Sequence, residues 1–267
     1  CRKVPSYLKF MKYIEVKKDN AICWVFLNRP KNLNALNKPL LKELTLFNES
    51  LKEDTQIRVV IFSGKGKNFS SGSDIKEGSE KTSRLETWRN NYGKAAIKSI
   101  LEINQITIAA INGYCLGGAA CIASACDFRI ASSDAQLGYP EINLGINLNW
   151  LGLPLALRLI GPARTKKLVI GGVIENATTL LNWGYYDEVH ELGDLLEATK
   201  QIALEYASKA PLAAQMIKRS VNFLTYNNDE GLMHMDYDQT LLTLETKDSK
   251  EAMNAFFEKR KPDFTGD

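Results

Sequence analysis

The chain has 267 residues, with 34 Lys and Arg against 31 Asp and Glu and a formal net charge of +3. This length is enough to bury a substantial core, as one larger domain with an appendage or as two small ones. The small charge gives no argument for nucleic acid binding, although it is compatible with an anionic ligand. Five cysteines without a paired spacing pattern argue against a disulfide scaffold, and the absence of a Cys/His cluster predicts no metal site.

No apolar run approaches the roughly 18 residues of a membrane-spanning helix, because Asn112 and Ser124 interrupt the apolar stretch over 106–125. Residues 1–10 are basic but lack an apolar centre and a cleavage site, so we expect no secretory signal. We interpret this segment as a tag or a disordered extension, with Met11 as a possible true start. These features predict a cytoplasmic protein that does not bind membranes.

The first part of the chain alternates short apolar runs with helical patterns. Strands are predicted over 22–27, 57–63 and 107–111, and a helix is predicted over 38–52. This βα rhythm is typical of a layered α/β fold.

From Pro162 onward the pattern is mainly helical. One apolar helical face runs along 195–206, and Pro211 begins a further helix. We therefore divide the chain into a core domain over 11–205 and a C-terminal helical region over 206–267.

A glycine-rich turn follows the strand predicted over 107–111. Gly117 and Gly118 open an Ala-rich helix over 118–124. The first N–H groups of such a helix have no partner and favour negative charge. The turn therefore predicts an oxyanion-binding helix start, although a glycine pair alone would equally fit simple packing of a strand against a helix.

Several short motifs, none decisive alone, follow one another along the chain: NRPK at 28–31, NALN at 34–37, GKG at 64–66, NFSSGSDI at 68–75, AACIASACD at 119–127, PEI at 140–142 and FFEKRKP at 256–262. Their order and spacing resemble the crotonase superfamily of enoyl-CoA hydratases and isomerases, from about Tyr13 to the C-terminus. The resemblance implies an α/β fold, a crotonase-like spiral of ββα units with a C-terminal helical trimerisation region, and hence a homotrimer or homohexamer. It also implies an acyl-CoA thioester substrate, with no cofactor beyond the coenzyme A that the substrate carries.

By this resemblance, the backbone N–H groups of Ser73 and Gly118 form an oxyanion hole for the thioester carbonyl. Each such donor is worth roughly 2.7–4 kcal/mol in comparable oxyanion holes. The same resemblance implies two groups of coenzyme A contacts, the second from a neighbouring subunit: Lys31, Ala35, Asp74, Ile75 and Lys76, and then Phe256 and Lys259.

The carboxylates depart from the hydratase pattern. Hydratases of the family have one glutamate three residues after the oxyanion-hole glycine and another in the Pro-Glu loop, whereas here Cys121 occupies the first position and only Glu141 remains. A single carboxylate suits the removal and return of one proton. We therefore predict an isomerase-type shift, in which Glu141 takes a proton from C2 of a 3-enoyl-CoA and delivers it to C4.

Four side chains near these motifs are candidate contacts of substrate or water: Cys121, Tyr139, Asn149 and Trp150. Cys121 fits a small buried residue better than a nucleophile, because nothing in the sequence lowers its pKa. Asn149 could hold a water or close a turn, and Tyr139 could touch substrate or pack in the core.

The polar segment over 78–91 is predicted to form a flap or helix at the acyl pocket, with Trp88 or Tyr92 as alternative lining residues. Three other functions stay open: a hydratase that uses Glu141 with Asn149, a decarboxylase of a malonyl-type or glutaconyl-type CoA, and a non-catalytic acyl-CoA or RNA binding protein. A basic ladder would carry the RNA function, but a solvated helix face explains its members better, namely Arg89, Lys94 and Lys98. We therefore expect no nucleic acid partner.

Overall fold

A computed structural model describes residues 11–75, 83–226 and 228–267 of the chain. The interpretation of residues 1–10, the coenzyme A contact assigned to Lys76 and the first part of the flap, 78–82, lie outside the described residues.

Within the described ranges the strands, in chain order, are β1 (Ile14–Asp19), β2 (Ile22–Leu27), β3 (Val59–Gly64), β4 (Ile106–Ile111), β5 (Tyr114–Leu116), β6 (Phe128–Ser132), β7 (Gln136–Gly138), β8 (Ile174–Asn176) and β9 (Glu188–His190). Six of them form one sheet in the order β1-β2-β3-β4-β6-β9, and the other three form a second sheet in the order β5-β7-β8. In the large sheet only β1 and β2 pair antiparallel. All six residues of β3 are buried, as expected for a parallel strand that is covered on both faces.

The second sheet continues into two isolated bridges, Leu36 with Ser73 and Ser70 with Cys115. The chain therefore places one strand in the large sheet, the next segment in the second layer and then a helix, and it repeats this path along its length. This arrangement confirms the α/β spiral of ββα units.

The helices, in chain order, are α1 (Lys38–Ser50), α2 (Arg84–Arg89), α3 (Tyr92–Leu101), α4 (Gly118–Ala125), α5 (Gly152–Ile170), α6 (Ala177–Trp183), α7 (Leu195–Ala207), α8 (Pro211–Tyr226), α9 (Asp229–Leu232), α10 (Asp236–Leu244) and α11 (Lys247–Glu258). The helix α5 is broken at Gly161, where φ is 76°, and Pro162 restarts it. No helix of the described ranges is long and apolar enough to cross a membrane.

The large sheet has an apolar cluster on each face. Val60 and Phe62 of β3 join the cluster that includes α1, α3 and α4, whereas Val59 and Ile61 join the cluster beneath α7. This alternation follows from the two-residue period of a strand. The carboxyl end of the sheet and the start of α4 are thereby fixed by packing on both sides.

The C-terminal helices fold back onto the residues that precede α5. Asn147 forms two hydrogen bonds with α10. Its backbone N–H group donates to Thr243 Oγ1 at 3.2 Å, and its side-chain amide donates to Gln239 Oε1 at 2.9 Å. One turn earlier, Leu144 accepts a hydrogen bond from Ser249 of α11 at 3.4 Å. The C-terminal helices therefore form part of the wall around the candidate site.

Candidate active site

The start of α4 is shaped by two glycines. Gly117 has φ 54° and ψ −121°, a backbone conformation open to glycine alone. A Cβ atom at this position would also lie 2.6 Å from Oε1 of Glu141. Gly118 is the first helical residue, so its N–H group has no partner within the helix. Glycine at residue 117 therefore lets a carboxylate approach the helix start closely.

Ser73 lies next to this helix start. The residues on either side of Ser73 both bond to Leu36. The N–H of Leu36 donates to Gly72 O at 2.8 Å, and the N–H of Asp74 donates to Leu36 O at 3.2 Å. In an extended segment the N–H group of the residue between them faces the opposite edge. Gly72, the residue before Ser73, lies close to the start of α4, because a Cβ atom on Gly72 would lie 3.7 Å from the Gly118 nitrogen. The fold thus brings the two predicted oxyanion donors into one region.

Glu141 lies in a 3-10 turn (Pro140–Leu144) that directly follows β7. The residue as a whole is half-buried, but its Oε2 atom is inaccessible to solvent and has no hydrogen-bond partner. Burial raises the pKa of this carboxyl from its usual 4.5 to about 7. An unpaired carboxyl with such a pKa can both accept and return a proton near neutral pH.

Cys121 lies one turn into α4, at the position where a hydratase of the family has its first glutamate. Its side chain is fully buried, and Sγ is 3.9 Å from the carbonyl oxygen of Asn149. Burial first, and the charge of Glu141 second, raise the pKa of the thiol well above its ordinary value. A Cβ atom on Gly152 would lie 2.8 Å from Sγ. A neutral thiol in a closed space therefore replaces the first carboxylate.

The indole ring of Trp150 lies between two glycines. A Cβ atom would lie 1.7 Å from the ring if added at Gly93 of α3, and 2.1 Å from it if added at Gly118. Trp150 and Leu151 both have positive φ values, 57° and 59°. The ring is thus packed directly against Gly118, the predicted oxyanion donor at the start of α4.

A buried ion pair holds the turn at Trp150 and Leu151. The Leu151 N–H donates to Asp236 Oδ2 at 3.1 Å, and Lys94 Nζ contacts Oδ1 of the same carboxylate at 2.9 Å. The Asp236 side chain is fully buried. Lys94 also donates to the carbonyl oxygen of Met233. This pair links α3, α10 and the turn before α5.

The model of the enoyl-CoA hydratase/isomerase family matches residues 17–267. This chain belongs to that family. It is 33% identical over 252 residues to a crotonyl-CoA hydratase of Syntrophomonas wolfei, an alignment that covers 94% of this chain and 97% of the relative.

Two solved structures have the same fold. An enoyl-CoA hydratase/isomerase from Pseudoalteromonas atlantica T6c has a TM-score of 0.88 and 27% identity, with 95% of this chain and 100% of that chain covered. A methylmalonyl-CoA decarboxylase in complex with 2-nitronate-propionyl-CoA has a TM-score of 0.84 and 27% identity, with coverage of 96% and 99%. The family is therefore established at both the sequence and the fold level.

Two of the candidate substrate contacts, Tyr139 and Asn149, form hydrogen bonds with other side chains of this chain. The Tyr139 side chain is buried, and its hydroxyl is 2.8 Å from Ser124 Oγ, which is 2.7 Å from the hydroxyl of Tyr185. The side-chain amide of Asn149 donates to Thr240 Oγ1 at 3.2 Å. Tyr139 thus packs in the core, and the Asn149 amide joins the preceding turn to α10.

The residues assigned to coenzyme A lie in two places. Asp74 pairs with Arg29 at 2.8 Å, and Arg29 also donates to the carbonyl oxygen of Ala35. Near them, Lys31 and Ile75 are exposed at the surface close to Ser73. At the end of α11 the exposed residues are Phe256 and Lys259. The assignment of both groups to coenzyme A stays a prediction, as does the neighbouring subunit.

The segment around α2 contacts α10 and does not form a basic ladder. The indole N–H of Trp88, a candidate pocket residue, donates to Asp238 at 2.7 Å, although the side chain is half exposed. The Tyr92 ring lies 4.7 Å from Lys42 Nζ. Lys94, the central member of the suggested ladder, is bound in the ion pair with Asp236.

Sequence reasoning missed the partners that hold the site. Gly93, Asp236 and Thr240 carry no local motif, and Asp236 lies 142 residues from Lys94 in the chain. The available signal was the pair of Asn149 and Trp150 after the Pro-Glu loop, where the resemblance implies glycine.

Proposed function

We propose that this chain catalyses a proton shift between C2 and C4 of an enoyl-CoA thioester, with Glu141 as its single catalytic acid and base. The observation that carries this proposal is the carboxyl of Glu141, whose Oε2 atom is enclosed and without a hydrogen-bond partner and whose Oε1 atom lies close to Gly117 at the helix start. Within the described residues no group of three or more His, Cys, Asp or Glu side chains could hold a metal ion.

The proposed reaction needs one base and one oxyanion hole. The N–H groups of Ser73 and Gly118 would donate to the thioester oxygen, and Glu141 would remove a proton from C2 of a 3-enoyl-CoA. The electron pair of the broken C–H bond forms a dienolate whose negative charge lies on the thioester oxygen. Return of the same proton to C4 forms the 2-enoyl-CoA and regenerates the carboxylate, so no water and no external reductant take part.

The presence of Cys121 at the position of the first hydratase glutamate supports a proton shift over hydration. Hydration needs one group to activate water and another to protonate carbon. Here Cys121 is buried and its pKa is raised, so it supplies neither at neutral pH. Its neighbour Asn149 directs its amide to Thr240 and away from a water-activating role.

Two other reactions of the family form the alternatives. The relative from Syntrophomonas wolfei is called a crotonyl-CoA hydratase, and one solved structure of the same fold is a methylmalonyl-CoA decarboxylase. Both need an enolate to be stabilised, which the same oxyanion hole would do. The mass of the product separates all three reactions.

The test is a mass-resolved assay of the purified chain on a trans-3-enoyl-CoA and on the matching trans-2-enoyl-CoA. We expect interconversion without mass change, and a loss of about a thousandfold in rate for Glu141→Gln, within the usual range for a general acid or base. The matched control is Glu53→Gln, because Glu53 is exposed in the turn after α1.

A product heavier by one water would contradict the proposal in favour of hydration, and intact turnover in Glu141→Gln would contradict the role of Glu141. The pH dependence gives a second readout. Since the base must be ionised, kcat/KM is expected to rise about tenfold per pH unit below a pKa of about 7 and to level off above it.

A further inference from the structure

Trp150 occupies the space between α3 and the start of α4. Atoms Cδ2, Cε2 and Cζ2 of its ring face Gly93, and atoms Cε3, Cζ3 and Cη2 face Gly118. Neither glycine has a positive φ, so the backbone conformation does not require glycine at these positions. What requires it is the ring, because a Cβ atom at either residue would overlap the indole. The two glycines form a slot that fits one aromatic ring.

The slot lies next to the path of the acyl chain. An oxyanion-hole donor lies about 2.7–3.1 Å from the oxygen that it stabilises, and Gly118 is both a proposed donor and a wall of the slot. The Glu141 carboxyl lies against Gly117, whose Cα atom is about 3.8 Å from that of Gly118. Atoms C2 to C4 of a substrate must lie beside Glu141, so the following atoms of the acyl chain approach the indole.

The backbone turn at Trp150 and Leu151 holds the ring in this position. Trp150 and Leu151 adopt left-handed conformations that large side chains rarely adopt, and such conformations persist only where the surroundings determine them. Here Asp236, fully buried and paired with Lys94, accepts the Leu151 N–H. The indole is therefore held in place, and displacing it to admit a substrate would cost free energy.

We propose that Trp150 determines acyl-chain length: its ring closes the acyl side of the site and restricts binding to thioesters with short acyl groups. This assignment rests on the proposed function, because it takes the thioester oxygen to lie at Ser73 and Gly118.

The experiment measures dissociation constants of acetyl-CoA, butyryl-CoA and octanoyl-CoA by calorimetry, so it needs no turnover. The wild type is expected to bind octanoyl-CoA at least about tenfold more weakly than butyryl-CoA, since even one methylene group is worth that much in a closed pocket. Trp150→Ala should remove this difference while its affinity for acetyl-CoA stays within about threefold. Trp150→Phe should shift the ratio in the same direction by less.

Trp183→Ala is the matched control, because Trp183 is an indole at the end of α6 that lies against Arg164 and Lys167 of α5. Its ratio of octanoyl-CoA to butyryl-CoA affinity should equal that of the wild type. An unchanged ratio in both Trp150 variants, or a gain for octanoyl-CoA in Trp183→Ala instead, would overturn the assignment. If Trp150→Ala fails to fold, Trp150→Phe alone decides, since it keeps an aromatic ring in the slot.

The two proposals fail in different ways. Wild-type protein that binds the thioesters with the expected ratio but shifts no proton would overturn the role of Glu141 and support that of Trp150. Wild-type protein that shifts the proton but binds octanoyl-CoA as well as butyryl-CoA would overturn only the role of Trp150. Wild-type protein that binds no thioester would overturn both.

Discussion

The oxyanion side of the site, residues 72–74 and 117–118, is made of backbone, whereas the carboxylate side, residues 141–151, is made of side chains. The backbone side needs only the bridge of Leu36 with Ser73 and the start of α4. The carboxylate side needs distant partners, because α10 holds residues 147, 149 and 151. On the proposed function, the oxyanion side would act through backbone N–H groups, whereas the side chains that select the reaction and the substrate would lie on the carboxylate side.

The strongest test of this comparison removes the support of the carboxylate side. Asp236→Ala leaves Lys94 without its partner and the Leu151 N–H without an acceptor, so we expect a loss of about 3 kcal/mol in the free energy of unfolding. Chemical denaturation measures this change. Glu245→Ala is the matched control, because Glu245 also joins α10 to α2, through Arg84, but both side chains are exposed.

An Asp236→Ala protein as stable as Glu245→Ala would show that the turn at Trp150 needs no buried anchor. In that case the left-handed conformations of Trp150 and Leu151 would depend on local contacts alone.

The second prediction concerns the charge of Glu141. The pKa of this carboxyl is about 7 in the folded chain and near 4.5 when unfolded, so the native state binds the proton more tightly. The contribution of the Glu141 carboxyl to the free energy of unfolding is therefore most favourable below pH 4.5 and is lost as the pH rises through 7. Above pH 7 the wild type should be about 3 kcal/mol less stable relative to Glu141→Gln than it is below pH 4.5.

Unfolding of both proteins by urea between pH 4 and pH 8 measures this difference. Glu53→Gln should run parallel to the wild type over the same range. A constant difference between the wild type and Glu141→Gln would mean that the carboxyl is ionised freely in the folded state.

The sequence predicts the two sides of the site unequally. Ser73, Gly118 and Glu141 were assigned from local motifs, and the structure brings them together around the start of α4. The slot for Trp150 was not foreseen, because it needs Gly93, which lies 57 residues earlier in the numbering of the chain. Contacts between distant segments leave no periodic pattern in either segment.

The same distinction holds for the fold. The strand predicted over 22–27 agrees with β2, because its apolar run reflects burial on both faces. The expectation of a mainly helical chain after Pro162 missed β9, whose sequence Glu-Val-His has no strand pattern of its own. It becomes a strand only by pairing with β6. On α7 the buried positions are Leu195, Thr199, Ala203 and Ala207. Ile202 and Tyr206 pack against the same apolar cluster, so the apolar face predicted along 195–206 is confirmed.

A third prediction tests the slot directly. Alanine is better than glycine inside a helix by about 1 kcal/mol, and Gly93 lies within α3. In the wild type, however, Gly93→Ala would put a Cβ atom 1.7 Å from the indole, and such overpacking costs about 1–3 kcal/mol. The substitution should therefore destabilise the wild type and stabilise Trp150→Ala.

This reversal of sign is measured by a double-mutant cycle of denaturation curves. Equal effects of Gly93→Ala in the two backgrounds would show that the indole does not occupy the slot.

The smallest expected effect comes from the backbone side. Ser73 is exposed, and its proposed role uses the N–H group, which every residue except proline supplies. We therefore expect Ser73→Ala to change kcat/KM by less than about twofold, or roughly 0.4 kcal/mol in the barrier. The assay of enoyl-CoA interconversion measures this change beside the large loss in Glu141→Gln. A loss of a hundredfold in Ser73→Ala would instead mean that the hydroxyl takes part in the reaction, so that the oxyanion side, like the carboxylate side, would depend on side-chain chemistry.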